Sequence, residues 1–181
     1  MAAATPANSE AGDQCEPDAQ WLTGEEHAAW LAMAMLMTKL PAVLEAQLQR
    51  DSGLTFYEYM VMTVLSGEPE RTLRMNDLAY LTSSSISRLS HVASRLEKQG
   101  YLRRSRCEGG IGRATNATLT DVGYAKLAAA APGHVRSVRE LFINALTSRQ
   151  LNALITIGRR VQPRLDPNGT WPQSRTGSDK P

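Results

Sequence analysis

The stretch Ser84-Ser85-Ile86-Ser87-Arg88-Leu89-Ser90-His91-Val92-Ala93-Ser94-Arg95-Leu96-Glu97, closed by Gly100, decides how this chain is read. Its periodicity predicts an amphipathic helix. Taking Ser84 as zero and about 100° per residue, Ser87, His91, Arg95 and Arg88 fall at about −60°, −20°, 20° and 40°. Ile86, Leu89, Ala93 and Leu96 fall between about 120° and 200°, which makes an inward face. The outward face carries hydroxyls, an imidazole and two guanidinium groups, with no carboxylate among them. A solvated helix face ordinarily mixes in acids. A face of this chemistry suits phosphates and base edges.

The segment after the helix is short and alternating. Leu102 to Cys107 and Ala114 to Leu119 predict two paired strands. Between them, Glu108-Gly109-Gly110-Ile111-Gly112 permits positive φ and a tight reversal. Arg113 stands at the end of that turn, placed to reach a narrow minor groove, whose negative potential attracts arginine. From Arg71 to Arg113 there are nine basic residues against three acidic ones, whereas residues 1 to 30 hold six acids and no Lys or Arg. A local cationic footprint binds polyphosphate by releasing counterions. No RNA-module aromatic motif accompanies it. Helix, hairpin and charge in this order predict a winged helix-turn-helix. The fold class is mainly α with a small β-wing.

The remaining sequence fits one domain with flanking tails. The 181 residues suffice to bury a core. Residues 1–20 and 166–181 lack periodicity and are expected to stay disordered. The expected domain covers 21–165, with a DNA-binding lobe at about 54–120 between helices at about 24–51 and 121–165. Thr23-Gly24-Glu25-Glu26, Thr55-Phe56-Tyr57-Glu58 and Thr147-Ser148-Arg149-Gln150 read as capping boxes. They open helices at about 24–51 (with Pro41 inside), 56–66 and 148–165. A short helix starts near Asn76, and the Thr82-Ser83 turn leads into the serine-rich helix. A helix from Thr120-Asp121 to about Ala131 is expected to break at Pro132-Gly133 and resume from about His134 to Leu146.

Other chemistries find little support. Two distant cysteines, Cys15 and Cys107, give no disulfide framework and point to a reducing cytoplasm. The N-terminus shows no secretion signal, and the apolar run Ala28 to Met37 is half a membrane span, so no membrane partner is expected. His27, His91 and His134 match no metal spacing with either cysteine, so no metal and no cofactor are expected. Ser83 to Ser85 lacks the glycines of a nucleophile elbow, and no phosphate-cradling glycine loop follows a strand. An enzyme is not expected.

The landmarks Leu48-Gln49-Arg50-Asp51-Ser52-Gly53-Leu54, Tyr59, Leu73-Arg74-Met75-Asn76-Asp77-Leu78-Ala79 and Ser87-Arg88-Leu89-Ser90-His91 share one order with three more. These are Arg95-Leu96-Glu97-Lys98-Gln99-Gly100-Tyr101-Leu102, Gly112-Arg113 and Leu119-Thr120-Asp121-Val122-Gly123. In that order and spacing the chain resembles the MarR family of multiple-antibiotic-resistance regulators over about residues 21–165. The resemblance implies a homodimer with interlocking terminal helices that represses transcription from a pseudo-palindromic DNA operator. Two positions depart from the family pattern. Ile111 stands where a wing acid is common, and Ile86 where relatives often carry another arginine. The wheel puts Ile86 on the packed face.

The expected DNA-binding residues are Ser84, Ser85, Ser87, Arg88, His91, Arg95 and Arg113. Arg88 and His91 are assigned to base edges, the three serines to phosphates or bases, and Arg95 to phosphate. The resemblance also implies a small aromatic or phenolic effector. Its expected contacts are Trp30, Met33 and Met37, spaced i, i+3, i+7, together with Tyr57, Tyr59 and Met62. Methionine and aromatic side chains suit an adaptable apolar cavity, although such a stripe is more often core or dimer seam. Cys107, beside Arg104 and Arg106, suits a thiolate better than Cys15 among acids, and neither is assigned a redox role. A winged-helix module that binds protein rather than DNA is the competing reading.

Overall fold

The computed structural model describes residues 21–106 and 115–166. Arg113, both cysteines, the wing tip and the two terminal tails lie outside the described residues. Two compact units are distinguished, one up to Met37 and one from Thr38 onward. Helix α1 (Gly24–Ser52) starts in the first and ends in the second. There follow α2 (Phe56–Ser66), strand β1 (Thr72–Arg74), α3 (Met75–Leu81), α4 (Ile86–Lys98), β2 (Leu102–Arg106), β3 (Thr115–Leu119), α5 (Asp121–Leu141) and α6 (Ser148–Leu165). The fold is mainly helical with a small antiparallel sheet.

All three sequence-predicted capping boxes form. The Thr23 N–H donates to Glu26 at 2.8 Å and the Glu26 N–H to the Thr23 hydroxyl at 3.3 Å. Thr55 with Glu58 and Thr147 with Gln150 repeat the exchange at the starts of α2 and α6. Each box satisfies two backbone donors that a helix start leaves bare. The Phe56 N–H adds a 2.5 Å bond to the Glu45 carboxylate, which ties α2 to the second half of α1.

The sheet holds one strand more than the sequence predicted. β1 pairs antiparallel with β3 and so does β2, in the order β1-β3-β2, with Thr72 opposite Thr118 and Leu102 opposite Leu119. Three residues are too few to show a two-residue period, so β1 left no signal. The Thr72 and Thr118 hydroxyls bond across the ladder at 2.8 Å. The core gathers Leu48, Leu54, Val61, Met62, Leu65, Leu78, Leu89, Ala93, Leu96, Leu102, Ala117 and Leu119, all at most 2 % exposed. Each buried leucine contributes about 1.5–3 kcal/mol over an exposed one.

The expected break at Pro132-Gly133 does not occur: α5 runs unbroken from Asp121 to Leu141. A proline inside a helix costs about 3 kcal/mol through its missing donor, but its fixed φ is helical. Packing offsets the loss here. His134 lies on Tyr59 of α2 with ring centres 4.5 Å apart and near Phe56 at 6.1 Å. At Gly133 an added Cβ would meet Gln47 and Asp51 of α1 only at ordinary contact distance, 3.4 and 3.5 Å. Near the start of α5, Gly123 is sterically required. A Cβ there would stand 2.1 Å from the Tyr101 carbonyl oxygen. At the far end of the chain, the Tyr80 hydroxyl of α3 donates to Asp166, just past α6.

The turn between α3 and α4 is strained. Ser83 has φ of +48°, while its N–H bonds the Tyr80 carbonyl and the Ser84 N–H bonds that of Ala79, each at 2.9 Å. This is the helix-ending arrangement usually given to glycine, and Gly100 occupies the same place after α4 with φ of +75°. A non-glycine residue there costs about 1–2 kcal/mol. Ser83→Gly is therefore expected to raise the unfolding free energy by about 1 kcal/mol. Denaturant melts of the two proteins check this; an unchanged or lower midpoint counts against strain at Ser83.

Candidate nucleic-acid interface

Helix α4 is built to present one end. Its N-cap is Ser85, whose hydroxyl accepts from the Arg88 N–H at 3.2 Å, so the helix proper begins two residues later than the serine pattern alone suggested. Ser84 lies in the preceding turn with its hydroxyl on the Ser85 carbonyl. Leu89, Ala93 and Leu96 are completely buried, as the wheel predicts. Ser87, Arg88, His91, Arg95 and Lys98 are exposed. The first turn holds no acid, so the bare N–H groups and the helix dipole there favour an anion.

Ile86 departs from the wheel. It is 46 % exposed. The angular position is the packed one, but Ile86 is the first residue of the helix and the core does not reach that far along the axis. An angle on a wheel carries no information about depth along the helix.

The arginines of the basic segment divide into two groups. Arg95 donates from Nε to Glu58 Oε1 at 2.5 Å and from Nη2 to the Thr55 hydroxyl at 3.3 Å. Glu58 is 2 % exposed. Arg95 is thus engaged within the chain, while 53 % of its side chain stays exposed. Helical spacing showed only that Arg95 is outward; the partner lies 37 residues earlier. Arg104 of β2 bonds Glu97 of α4 through Nε at 3.0 Å and Nη2 at 2.7 Å, and reaches the Ser94 hydroxyl at 3.0 Å. Arg71 pairs with Asp121 at 2.9 Å and lies 4.0 Å over the Tyr124 ring. These three serve the fold. Arg74, Arg88, Lys98, Arg103 and Arg106 are exposed. Arg88 lies 4.7 Å over the Tyr57 ring, and Tyr57 bonds Thr82 at 3.0 Å, a stack that sequence spacing could not show.

The six residues named for an effector differ in burial. Met62 is fully buried and Tyr59 is 8 % exposed; both belong to the core. Burial raises the Tyr59 pKa and lowers that of His134 packed on it. Tyr57 is the partly buried partner of Arg88. Trp30, Met33 and Met37 are 56 %, 37 % and 54 % exposed. A surface hollow of about 780 Å³ is lined by Glu68, Glu70, Arg71 and Arg103 among others, and no residue of α4 borders it. Among the described residues, no group of three or more His, Cys, Asp or Glu side chains could hold a metal ion.

Glu97 supplies a pH test of the α4–β2 clamp. The Arg104 guanidinium and backbone N–H hold its carboxyl below the ordinary carboxylate value. A depressed carboxylate contributes stability above its unfolded pKa, and that contribution disappears as the pH falls through the folded value. Glu97→Gln is expected to lower stability at neutral pH and to flatten its decline below about pH 4.5. Parallel acid slopes for the two proteins in chemical denaturation would remove the clamp.

No family model matches the chain, and no curated protein matches it. Solved structures do. A MarR family transcriptional regulator from Streptomyces coelicolor, Sco3205, crystallised in complex with DNA, is 39 % identical; the match covers 87 % of this chain and 99 % of that one, with a TM-score of 0.78. AbsC, another MarR family regulator from that organism, is 36 % identical over 82 % of this chain and 99 % of its own, with a TM-score of 0.76. PcaV, also from S. coelicolor and solved with its natural ligand, is 21 % identical over 81 % of this chain and 99 % of its own, and shares the fold with a TM-score of 0.62. With its exposed basic recognition helix, its small wing sheet and this kinship, the chain belongs to the MarR family of transcriptional regulators, DNA-binding proteins rather than enzymes.

Proposed function

We propose that this protein is a homodimeric, ligand-responsive repressor that occupies a pseudo-palindromic operator in the cytoplasm. The observation that carries the reading is the exposed stripe of Ser87, Arg88 and His91 on α4, with Ser85 at its cap and no acid in the first turn. Two such helices, one from each protomer, would enter successive major grooves about 34 Å apart. Arg88 and His91 are assigned to base edges, and Ser84, Ser85 and Ser87 to phosphates or bases. Arg113 is kept as the minor-groove contact of the wing. Arg95, half exposed beside its bond to Glu58, is kept as a phosphate contact and also holds α4 in place.

The dimer is supported by exposed apolar side chains on the terminal helices: Trp30, Leu31, Leu36 and Val43 on α1, and Ile155, Ile157, Val161 and Leu165 on α6. Exposed apolar area on this scale marks an interaction surface. By length and composition α1 could also cross a membrane. Kinship with DNA-binding regulators favours an interface between copies. The division of labour is then a DNA-binding lobe at about 54–120 between dimerisation helices at about 24–51 and 121–165.

The deciding experiment is selection of bound duplexes from a random pool at stated salt, followed by titration of the enriched site. An inverted repeat bound by a dimer is the expected product. Arg88→Ala is expected to cost about 1–3 kcal/mol at the selected site and to relax preference at one base pair in each half-site. A uniform loss on all sequences, with a flatter salt slope, would instead make Arg88 a phosphate contact. A protein that enriched nothing would leave the protein-binding module as the reading.

An effector response is the finer step. Tyr57 touches both the α3–α4 turn and Arg88, so an aromatic ligand that displaced it would change the posture of the recognition arginine. A ligand with equal affinity for both postures shifts nothing. Of the other residues named for a ligand, Trp30, Met33 and Met37 are exposed on the first unit, while Tyr59 and Met62 belong to the core of the second. Titrating phenolic acids into the protein–operator complex is expected to release DNA, and to do so less effectively in Tyr57→Leu. Absence of both binding and release would confine the protein to constitutive occupancy.

A further inference from the structure

We infer that Ile86 is a specificity residue that reads the 5-methyl group of thymine in each operator half-site. The inference rests on the DNA-binding reading above and goes beyond it. Among the described residues of α4, Ile86 is the one large aliphatic side chain at the surface, 46 % exposed, whereas Leu89, Ala93 and Leu96 are 0 % exposed. It is the first helical residue, directly after the Ser85 cap and next to the exposed Ser87 and Arg88. Ile86 is neither in the core nor among the partly buried side chains packed against it. It is also β-branched, hence a weaker helix former than alanine, leucine or arginine. Its surroundings are hydroxyls, a guanidinium and bare N–H groups, all suited to polar or anionic partners.

The surface such a helix meets has one apolar feature. Every major-groove base edge presents donors or acceptors, and thymine alone adds a methyl group. Recognition helices touch bases mainly with their N-terminal residues, which is where Ile86 sits. The Ser85 hydroxyl holds the first turn by accepting from the Arg88 N–H, so Ile86 and Arg88 move as one unit. The stiff χ1 of isoleucine means little rotamer freedom is lost on contact. Arg88 and Ile86 would then read neighbouring base pairs by opposite chemistries, one by hydrogen bonding and one by methyl packing.

The test uses the full-length protein and the operator enriched from the random pool. Each thymine is replaced singly by deoxyuridine, which removes the methyl and leaves base pairing intact. Wild type is expected to lose about threefold to fivefold in affinity at one thymine position in each half-site, the worth of one buried methyl. Ile86→Ala is expected to bind the unmodified operator more weakly by a similar factor and to ignore that replacement. Ile86→Val, which keeps both β-carbon branches, should retain the sensitivity. Unaltered circular dichroism and melting of both variants separate contact from folding. Wild-type affinity unmoved by every replacement, or equal sensitivity in Ile86→Ala, overturns the inference while leaving DNA binding intact. A pool that yields no enriched sequence overturns the DNA-binding reading itself, and this inference with it.

Discussion

A single buried carboxylate ties the recognition helix to α2. Glu58 closes the capping box of α2 with one oxygen, accepting from the Thr55 N–H at 2.8 Å and its hydroxyl at 3.0 Å. The other oxygen takes Nε of Arg95 from α4 at 2.5 Å. A carboxylate at 2 % exposure is tolerable only when its lone pairs are occupied, because burying an unpaired charge costs several kcal/mol. Here three donors meet it from two helices. The Thr55 hydroxyl also accepts from Arg95, so cap and ion pair form one network. Since Arg95 is half in water, the pair's net contribution to stability is below that of a fully buried one. Its larger effect is geometric. Together with the buried Leu89, Ala93 and Leu96 it sets the rotation of α4 about its own axis.

That network explains both what the sequence revealed and what it hid. The capping boxes at Thr23, Thr55 and Thr147 were legible because each lies within four residues, and the buried face of α4 because period and polarity agree along it. The bounds of α2 and α6 follow from the same local rules. What lay beyond reach depends on long-range contacts. Glu58 reads as a box residue, and nothing nearby announces that Arg95 completes it from 37 residues away. β1 is too short for a period and exists because β3 offers it a ladder. The continuity of α5 through Pro132 depends on His134 finding Tyr59. Ile86 failed for a different reason. The wheel projects a helix onto a circle and discards the axial coordinate, which decides burial at a helix end.

The basic segment also reads differently once partners are known. Nine cations against three acids look like one footprint in sequence. In the structure Arg71, Arg95 and Arg104 are matched to Asp121, Glu58 and Glu97. Those three acid pairs hold α5, α2 and β2 in register with their neighbours. The charge left outward is smaller but better ordered, because the paired arginines have set where it stands. A counterion-release argument built on the raw count would overstate the salt slope, since each internally neutralised arginine releases little on binding.

Along its axis, α4 is held by ion pairs at one end and carries a serine cap without acids at the other. Its second half carries Arg95 on Glu58, Glu97 on Arg104, and the Gly100 turn whose backbone leads into β2. Its first turn carries the Ser85 cap, Ile86, Ser87 and Arg88, with Arg88 stacked on Tyr57. A probe of this kind must be stiff where it is mounted, or base-edge geometry blurs and the discrimination of one base pair from another shrinks. The strain at Ser83 belongs to the same arrangement. A left-handed serine turns the chain sharply between α3 and α4, and the hydroxyls of Ser84, Ser85 and Ser87 follow at the helix start, where bare N–H groups favour an anion.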